Sequence, residues 1–199
     1  MTSKGYLLSS LGATSGIVGG AIVYSQIGND DNSKCLKEYI NTQKRVVLDT
    51  ENSNHDGVWK QLVTEYKASN STIKGIDKTS VDESKLKNYC KTAKDKKIKE
   101  SSLIKEYTQW CSRNNLREQI TTLSTGKKKW ISEDDTATWN TKKDSYKSIQ
   151  DNDPKLEGVE KANPDTSKMV SACNKLSLVP YINTDDNNYK LVDKWCAKE

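Results

Sequence analysis

The sequence predicts a mainly α-helical protein: an N-terminal transmembrane helix followed by two tandem small helical modules of about four short helices each. Three observations carry this. A charge-free stretch opens the chain, apolar residues beyond it recur at helical spacing, and the second half echoes the first at an offset of about 80 residues. The 199 residues suffice for one ordinary domain or two small ones. Lys and Arg number 32 against 27 Asp and Glu, and Leu, Ile and Val together make up just under a fifth of the chain, with no Phe. That composition borders on the disordered class. Five Trp, nine Tyr, only three Pro and a net charge of just +5 argue instead for a folded chain. A single histidine, His55, disfavours His-based metal sites and catalytic triads, and no cofactor is expected.

From Gly5 to Asn29 no residue is charged; Lys4 precedes the stretch, and Asp30 and Asp31 follow it. A helix rising about 1.5 Å per residue crosses the hydrocarbon layer in roughly 20 residues, so the stretch is long enough. It holds six of the ten Gly, which a membrane helix tolerates better than a soluble one. Gly12, Gly16 and Gly20 form two overlapping GxxxG steps, a face that lets a second helix approach and form a homodimer. A Gly/Ser-rich leader with no pairing role is the alternative. Ile22, Val23 and Tyr24 stand where a signal cleavage site needs small residues, and no lipoprotein box precedes Cys35. An uncleaved signal anchor over residues 1–30 is therefore expected. The flanking charges orient it with the N-terminus in the cytoplasm and everything after it extracellular, as a single-pass protein of the cell membrane.

Beyond the anchor, Leu36–Thr42 returns as Leu116–Thr122, Trp59 as Trp139 and Tyr66-Lys67 as Tyr146-Lys147, all offset by 80. Gly75 then matches Gly158 and Cys90 matches Cys173 at 83, and Trp110-Cys111 matches Trp195-Cys196 at 85. A steadily growing offset is what small loop insertions in a duplicated module produce, and it delimits two copies, 36–111 and 116–196. In the first copy the opening helix is read from Leu36, Tyr39, Ile40, Gln43, Val46 and Val47. A second stripe runs through Val58, Trp59, Leu62, Val63 and Tyr66, a third through Leu86, Tyr89, Cys90 and Ala93, and a fourth through Leu103, Ile104, Tyr107, Trp110 and Cys111. Asp56 and Asp82-Glu83 mark the starts of the second and third. The second copy repeats the series as Leu116/Ile120/Leu123, Trp139/Tyr146/Ile149, Met169/Val170/Cys173/Leu176 and Leu191/Val192/Trp195/Cys196. Lys142 and Lys143 weaken its second helix, standing where the first copy has Leu62 and Val63. The recurring Trp59, Trp110, Trp139 and Trp195 belong to the cores rather than to a ligand.

Four of the five Cys sit at matching positions on apolar helix faces: Cys90 and Cys111, then Cys173 and Cys196. Modules this small and this poor in aliphatic residues rarely fold on a core alone, so one disulfide per copy is the favoured reading. An extracellular location supplies the oxidising conditions. Buried free thiols are the alternative, and the spacing fits no zinc pattern. Cys35 is left over near the expected membrane surface, either as an idle thiol or as an intermolecular link in a homodimer.

No catalytic set can be singled out. Ser124-Thr125-Gly126-Lys127 lacks the upstream Gly of a phosphate loop and has Lys128 where the magnesium-binding Ser or Thr belongs. Asp134-Asp135 and Asp185-Asp186 read as turn and capping residues rather than calcium ligands. The basic runs at 127–129 and 94–99 could hold an anionic glycan, lipid or nucleic acid. With 29 Lys against three Arg they read instead as solvated faces of a lysine-biased chain, and no nucleic-acid partner is expected.

The opening Leu11-Gly12-Ala13 through Gly19-Gly20, the Trp59-x6-Tyr66 spacing, and the module ends Trp110-Cys111 and Trp195-Cys196 resemble the paralogous small surface-type proteins of haemotropic mycoplasmas. The resemblance implies surface exposure, with a part in antigenic display or contact with the host red cell, and carries no functional residues with it. The resulting expectation is a membrane-anchored, non-catalytic surface protein that meets a partner, a host-surface ligand or a glycan. A cryptic cell-surface hydrolase and a soluble basic nucleic-acid-binding module are the competing classes.

Overall fold

The computed structural model describes residues 34–98, 101–123, 127–150 and 153–199. The expected anchor 1–30, with Gly12, Gly16 and Gly20, lies outside the described residues. Among those described, no helix is long and apolar enough to cross a membrane.

The first half of the described chain runs α1 (Leu36–Asn41), β1 (Arg45–Val47), α2 (Asp56–Ala68), α3 (Glu83–Ala93), α4 (Ser101–Trp110) and β2 (Ser112–Asn114). The second runs α5 (Leu116–Leu123), β3 (Lys129–Trp130), α6 (Thr136–Lys147), α7 (Thr166–Ser177), α8 (Asn187–Leu191), a π-helical turn over Val192–Cys196, and β4 (Ala197–Lys198). The protein is mainly helical, as its periodicity predicts. Carboxylates start several helices by accepting free backbone N–H groups: Asp82 from Lys85 (2.8 Å), Asp165 from Ser167 (2.7 Å) and Asp186 from Asn188 (2.9 Å). Asp135 does the same for Thr138 at 3.1 Å, so both acidic pairs take the capping and turn roles expected of them. Asp56 differs: His55 occupies the cap position of α2, and Asp56 lies in the first turn, where it pairs with Lys87 of α3 at 2.8 Å.

The opening helix is shorter than its stripe suggests. Lys44 adopts a left-handed φ of 54° after α1 ends, so Val46 and Val47 continue as a strand rather than as a third helical turn. That strand pairs antiparallel with β2, Arg45 opposite Asn114 and Val47 opposite Ser112, and β3 pairs with β4 in the same sense. Strands of two or three residues are too short for alternation to register in a sequence, and their partners lie more than 60 residues away.

Two buried clusters result. One is built from residues 36–111, around Trp59, Leu62, Tyr66, Leu86 and Trp110. The other is built from residues 116–197, around Trp139, Tyr146, Met169, Val192 and Trp195. With so few aliphatic residues available, aromatic rings fill the volume, and each buried large side chain contributes roughly 2 kcal/mol through lost hydration. Tyr66 meets Trp110 edge-on at 5.0 Å between centroids, and Tyr146 meets Trp195 likewise at 4.8 Å. The clusters touch through the segment between α7 and α8. Tyr181 N–H donates to the Asn114 carbonyl (2.9 Å), and Ile182 packs on the first cluster.

Candidate functional site

Cys90 on α3 is bonded to Cys111 at the end of α4, with Cα atoms 5.4 Å apart, and Cys173 on α7 is bonded to Cys196, with Cα atoms 5.6 Å apart. In both halves the carbonyl of the later cysteine accepts a 3.0 Å bond, from Leu48 N–H to Cys111 and from Ile131 N–H to Cys196. Each bridge thus ties its third helix to the start of the short ladder. Closing loops of 21 and 23 residues stabilises each half by roughly 3 kcal/mol on the chain-entropy account. Cys35 is unbonded and half-buried, and its N–H donates to the Glu38 carboxylate at 2.8 Å, which lowers the pKa of Glu38.

A cleft of about 530 Å³ opens between α1, β1 with the loop after it, and α3. Lys37, Arg45 and Lys94 line it together with Asp49, Glu51 and the buried Tyr107. Arg45 donates to Ser112 Oγ (2.9 Å), the Thr108 carbonyl (3.1 Å), the Ser112 carbonyl (3.2 Å) and Asn114 Oδ1. All four acceptors are neutral. Burial, aided by the nearby Arg113, brings its pKa down to about 10, so Arg45 stays charged at neutral pH. The acids of the cleft are engaged elsewhere. Asp49 accepts from the backbone N–H groups of Glu51 (2.8 Å) and Asn52 (3.0 Å) and from the side-chain amides of Asn52 and Asn54 (3.0 Å each), which hold its carboxyl below the usual carboxylate range. Glu51 pairs with Lys91 at 3.5 Å. Lys37 and Lys94 have no acidic partner among the described residues, and the Tyr107 hydroxyl makes no hydrogen bond there.

A smaller cleft, about 300 Å³, occupies the corresponding place in the second half, between α5, β3 with its following loop, and α7. Its chemistry differs. Arg117 lies over the Trp130 ring at 5.6 Å, Glu133 accepts from Asn174 Nδ2 at 2.9 Å, and Asp134 adds a second negative charge. Two further clefts flank α6 and α7. One, about 350 Å³, carries Lys142 and Lys194, with the Lys142 ammonium donating to the Lys194 carbonyl at 2.6 Å and burial lowering its pKa. The other, about 310 Å³, is lined largely by Ala172, Leu176, Val179 and Leu191.

Of the residues singled out in the sequence, the four paired cysteines come together and the four recurring Trp are buried in the cores. The Lys37/Arg45/Lys94 cleft escapes sequence reading. The one available signal is that Arg is rare here, and each of the three Arg is placed in a specific contact. Comparison with protein-family models, curated proteins and solved structures finds no match to this chain.

Proposed function

We propose that this chain is a membrane-anchored, non-catalytic surface protein that presents two copies of one disulfide-bonded helical module for contact with a partner or host surface, or for antigenic display. One observation carries the reading: a disulfide joins the third helix to the chain just before the closing strand in each half, by equivalent cysteines. Such bonds persist in oxidising compartments, as the outer side of a membrane provides.

Matched local contacts support the duplication. Tyr66 Oη accepts from Ile73 N–H (2.8 Å) and donates to the Ile76 carbonyl (2.9 Å); Tyr146 Oη accepts from Leu156 N–H (2.8 Å) and donates to the Val159 carbonyl (3.5 Å). The glycine that turns each of these loops has positive φ, 89° at Gly75 and 74° at Gly158. The indoles of Trp59 and Trp139 both donate at 2.8 Å to a carbonyl of the loop after the first strand, Asp49 and Ser132. These contacts also amend the offset, which is 83 at Leu48 and Ile131 and returns to 80 at Trp59 and Trp139, so insertions fall in both copies. Against a hydrolase with acids drawn from both halves, each of the four clefts described is lined from one half alone.

The test is labelling of intact cells with a membrane-impermeant amine reagent, followed by non-reducing mass spectrometry. Lysines beyond residue 33 should be modified, with Cys90–Cys111 and Cys173–Cys196 recovered as disulfides. Labelling only after lysis, or four free thiols in the exported protein, would overturn the reading.

A further inference from the structure

We infer that the cleft between α1, β1 and α3 binds a small oxyanion, of the kind a sulfated or carboxylated sugar carries, between the ammonium groups of Lys37 and Lys94 in the field of Arg45. The inference goes beyond surface display, because it names a ligand class and a site and holds wherever the protein resides.

Positive charge in this cleft is left unbalanced. Arg45 is held in place by four neutral acceptors, so its position is fixed while its charge is not neutralised. Arg45 is half-buried, and a cation partly withdrawn from water without a counter-ion is costly, so an anion arriving in the adjoining cleft offsets part of that cost. Lys37 and Lys94 both line the cleft without acidic partners among the described residues, and they are neighbours, their backbones joined by a 3.0 Å bond from Lys37 N–H to the Lys94 carbonyl. The two acids in the lining cannot neutralise them without giving up existing bonds. Asp49 is saturated by its own loop and Glu51 is paired with Lys91. Tyr107, kept protonated by burial, brings a hydroxyl with no described partner. The volume, about 530 Å³, admits a sugar-sized group rather than a bare ion alone.

The second half supplies an internal control. In the second half Lys37 is replaced by Arg117, which lines the smaller cleft and lies over Trp130, and Lys94 is replaced by Ser177, at the offset of 83 that relates Cys90 to Cys173 and outside that cleft's lining. Arg45 corresponds to Lys128, three residues before Ile131 as Arg45 is before Leu48, and Lys128 is neutralised by Asp193 at 2.5 Å. With Glu133 and Asp134 in its lining, that cleft is not expected to take an anion.

The experiment is calorimetric titration of the full chain, disulfides intact, with sodium sulfate and with a sulfated disaccharide, each against sodium chloride at matched ionic strength. Saturable binding at one site is expected, weakened roughly tenfold or more by Lys37→Gln with Lys94→Gln and untouched by Lys128→Gln. Both substitutions lie at exposed or half-exposed positions and leave Arg45 to hold the ladder, so the melting temperature serves as the folding check. Tighter binding of the disaccharide than of sulfate supports a sugar-borne anion, and equal binding supports the same site serving free oxyanions. Sulfate binding no better than chloride, or full binding by the Lys37/Lys94 double variant, would overturn the inference.

Discussion

Tyr66 shows how much one hydroxyl carries here. Its ring packs on Trp110, while its oxygen closes the turn between Ile73 and Ile76. Tyr66→Phe keeps the ring and leaves a buried N–H and a carbonyl unpaired, at a cost of about 2 kcal/mol, read as a lower urea midpoint with unchanged slope. Tyr146→Phe should cost less, because its bond to Val159 is already long at 3.5 Å. His55 gives a pH prediction of definite sign. Its Nδ1 accepts from Asp49 N–H at 2.8 Å, which requires an unprotonated nitrogen, and burial lowers its pKa from 6.5 against the opposing pull of the Asp49 carboxylate. The unfolded chain therefore binds the proton more readily. The stability contributed is fully present above about pH 6.5 and is lost as pH falls through the lower folded value. A urea midpoint measured at stepped pH should drop over that window, and His55→Gln should remove the drop. Tyr66 is legible in the sequence as a core residue, through its place on a helical stripe. Arg45 is not, because its acceptors lie 63 to 69 residues away.

At the scale of elements, the disulfides decide how each half holds together. Cys90→Ala with Cys111→Ala should cost about 3 kcal/mol, and Cys173→Ala with Cys196→Ala about the same, since the loops closed are nearly equal. Because the buried clusters are separate, hydrogen exchange should accelerate mainly in residues 36–111 for the first pair and in 116–197 for the second. Uniform acceleration across both would show instead that the halves unfold as one. Helices α3, α6 and α7 follow from apolar spacing and capping acids already visible in the sequence, and α2 from its apolar spacing alone. The ends of both halves do not. The stripe through Val46 and Val47 fits a helix as well as a strand until Lys44 turns left-handed and β2 arrives to pair. The stripe Leu191/Val192/Trp195/Cys196 likewise becomes a short helix and a π-helical turn.

Across the whole molecule, the halves meet at a polar seam. Arg113, largely buried and close to Arg45, is neutralised within the first half by Glu65 at 2.5 Å, beside Tyr181 of the second, and Asn183 reaches across to Gln61 at 3.1 Å. Glu65→Gln would leave Arg113 charged and unpaired beside a second guanidinium, at a cost of about 3 kcal/mol in the full chain. Adding Arg113→Met should recover much of that loss in a double-mutant cycle of urea unfolding. A silent Glu65→Gln would mean the pair contributes nothing net. None of this seam is readable beforehand, since Gln61, Glu65, Arg113 and Asn183 look in sequence like ordinary surface residues.

Local chemistry settled a good deal. Apolar spacing set the helical class, Asp residues set several helix starts, and four cysteines on apolar stripes set which thiols could meet. Those signals act within a few turns of chain or recur in order along it, so a single sequence displays them. The tertiary structure alone decided the short ladders, the seam and the cleft of Lys37, Arg45 and Lys94. Each depends on which distant groups are brought within bonding distance and which charges are left without a partner, and no local pattern encodes that balance.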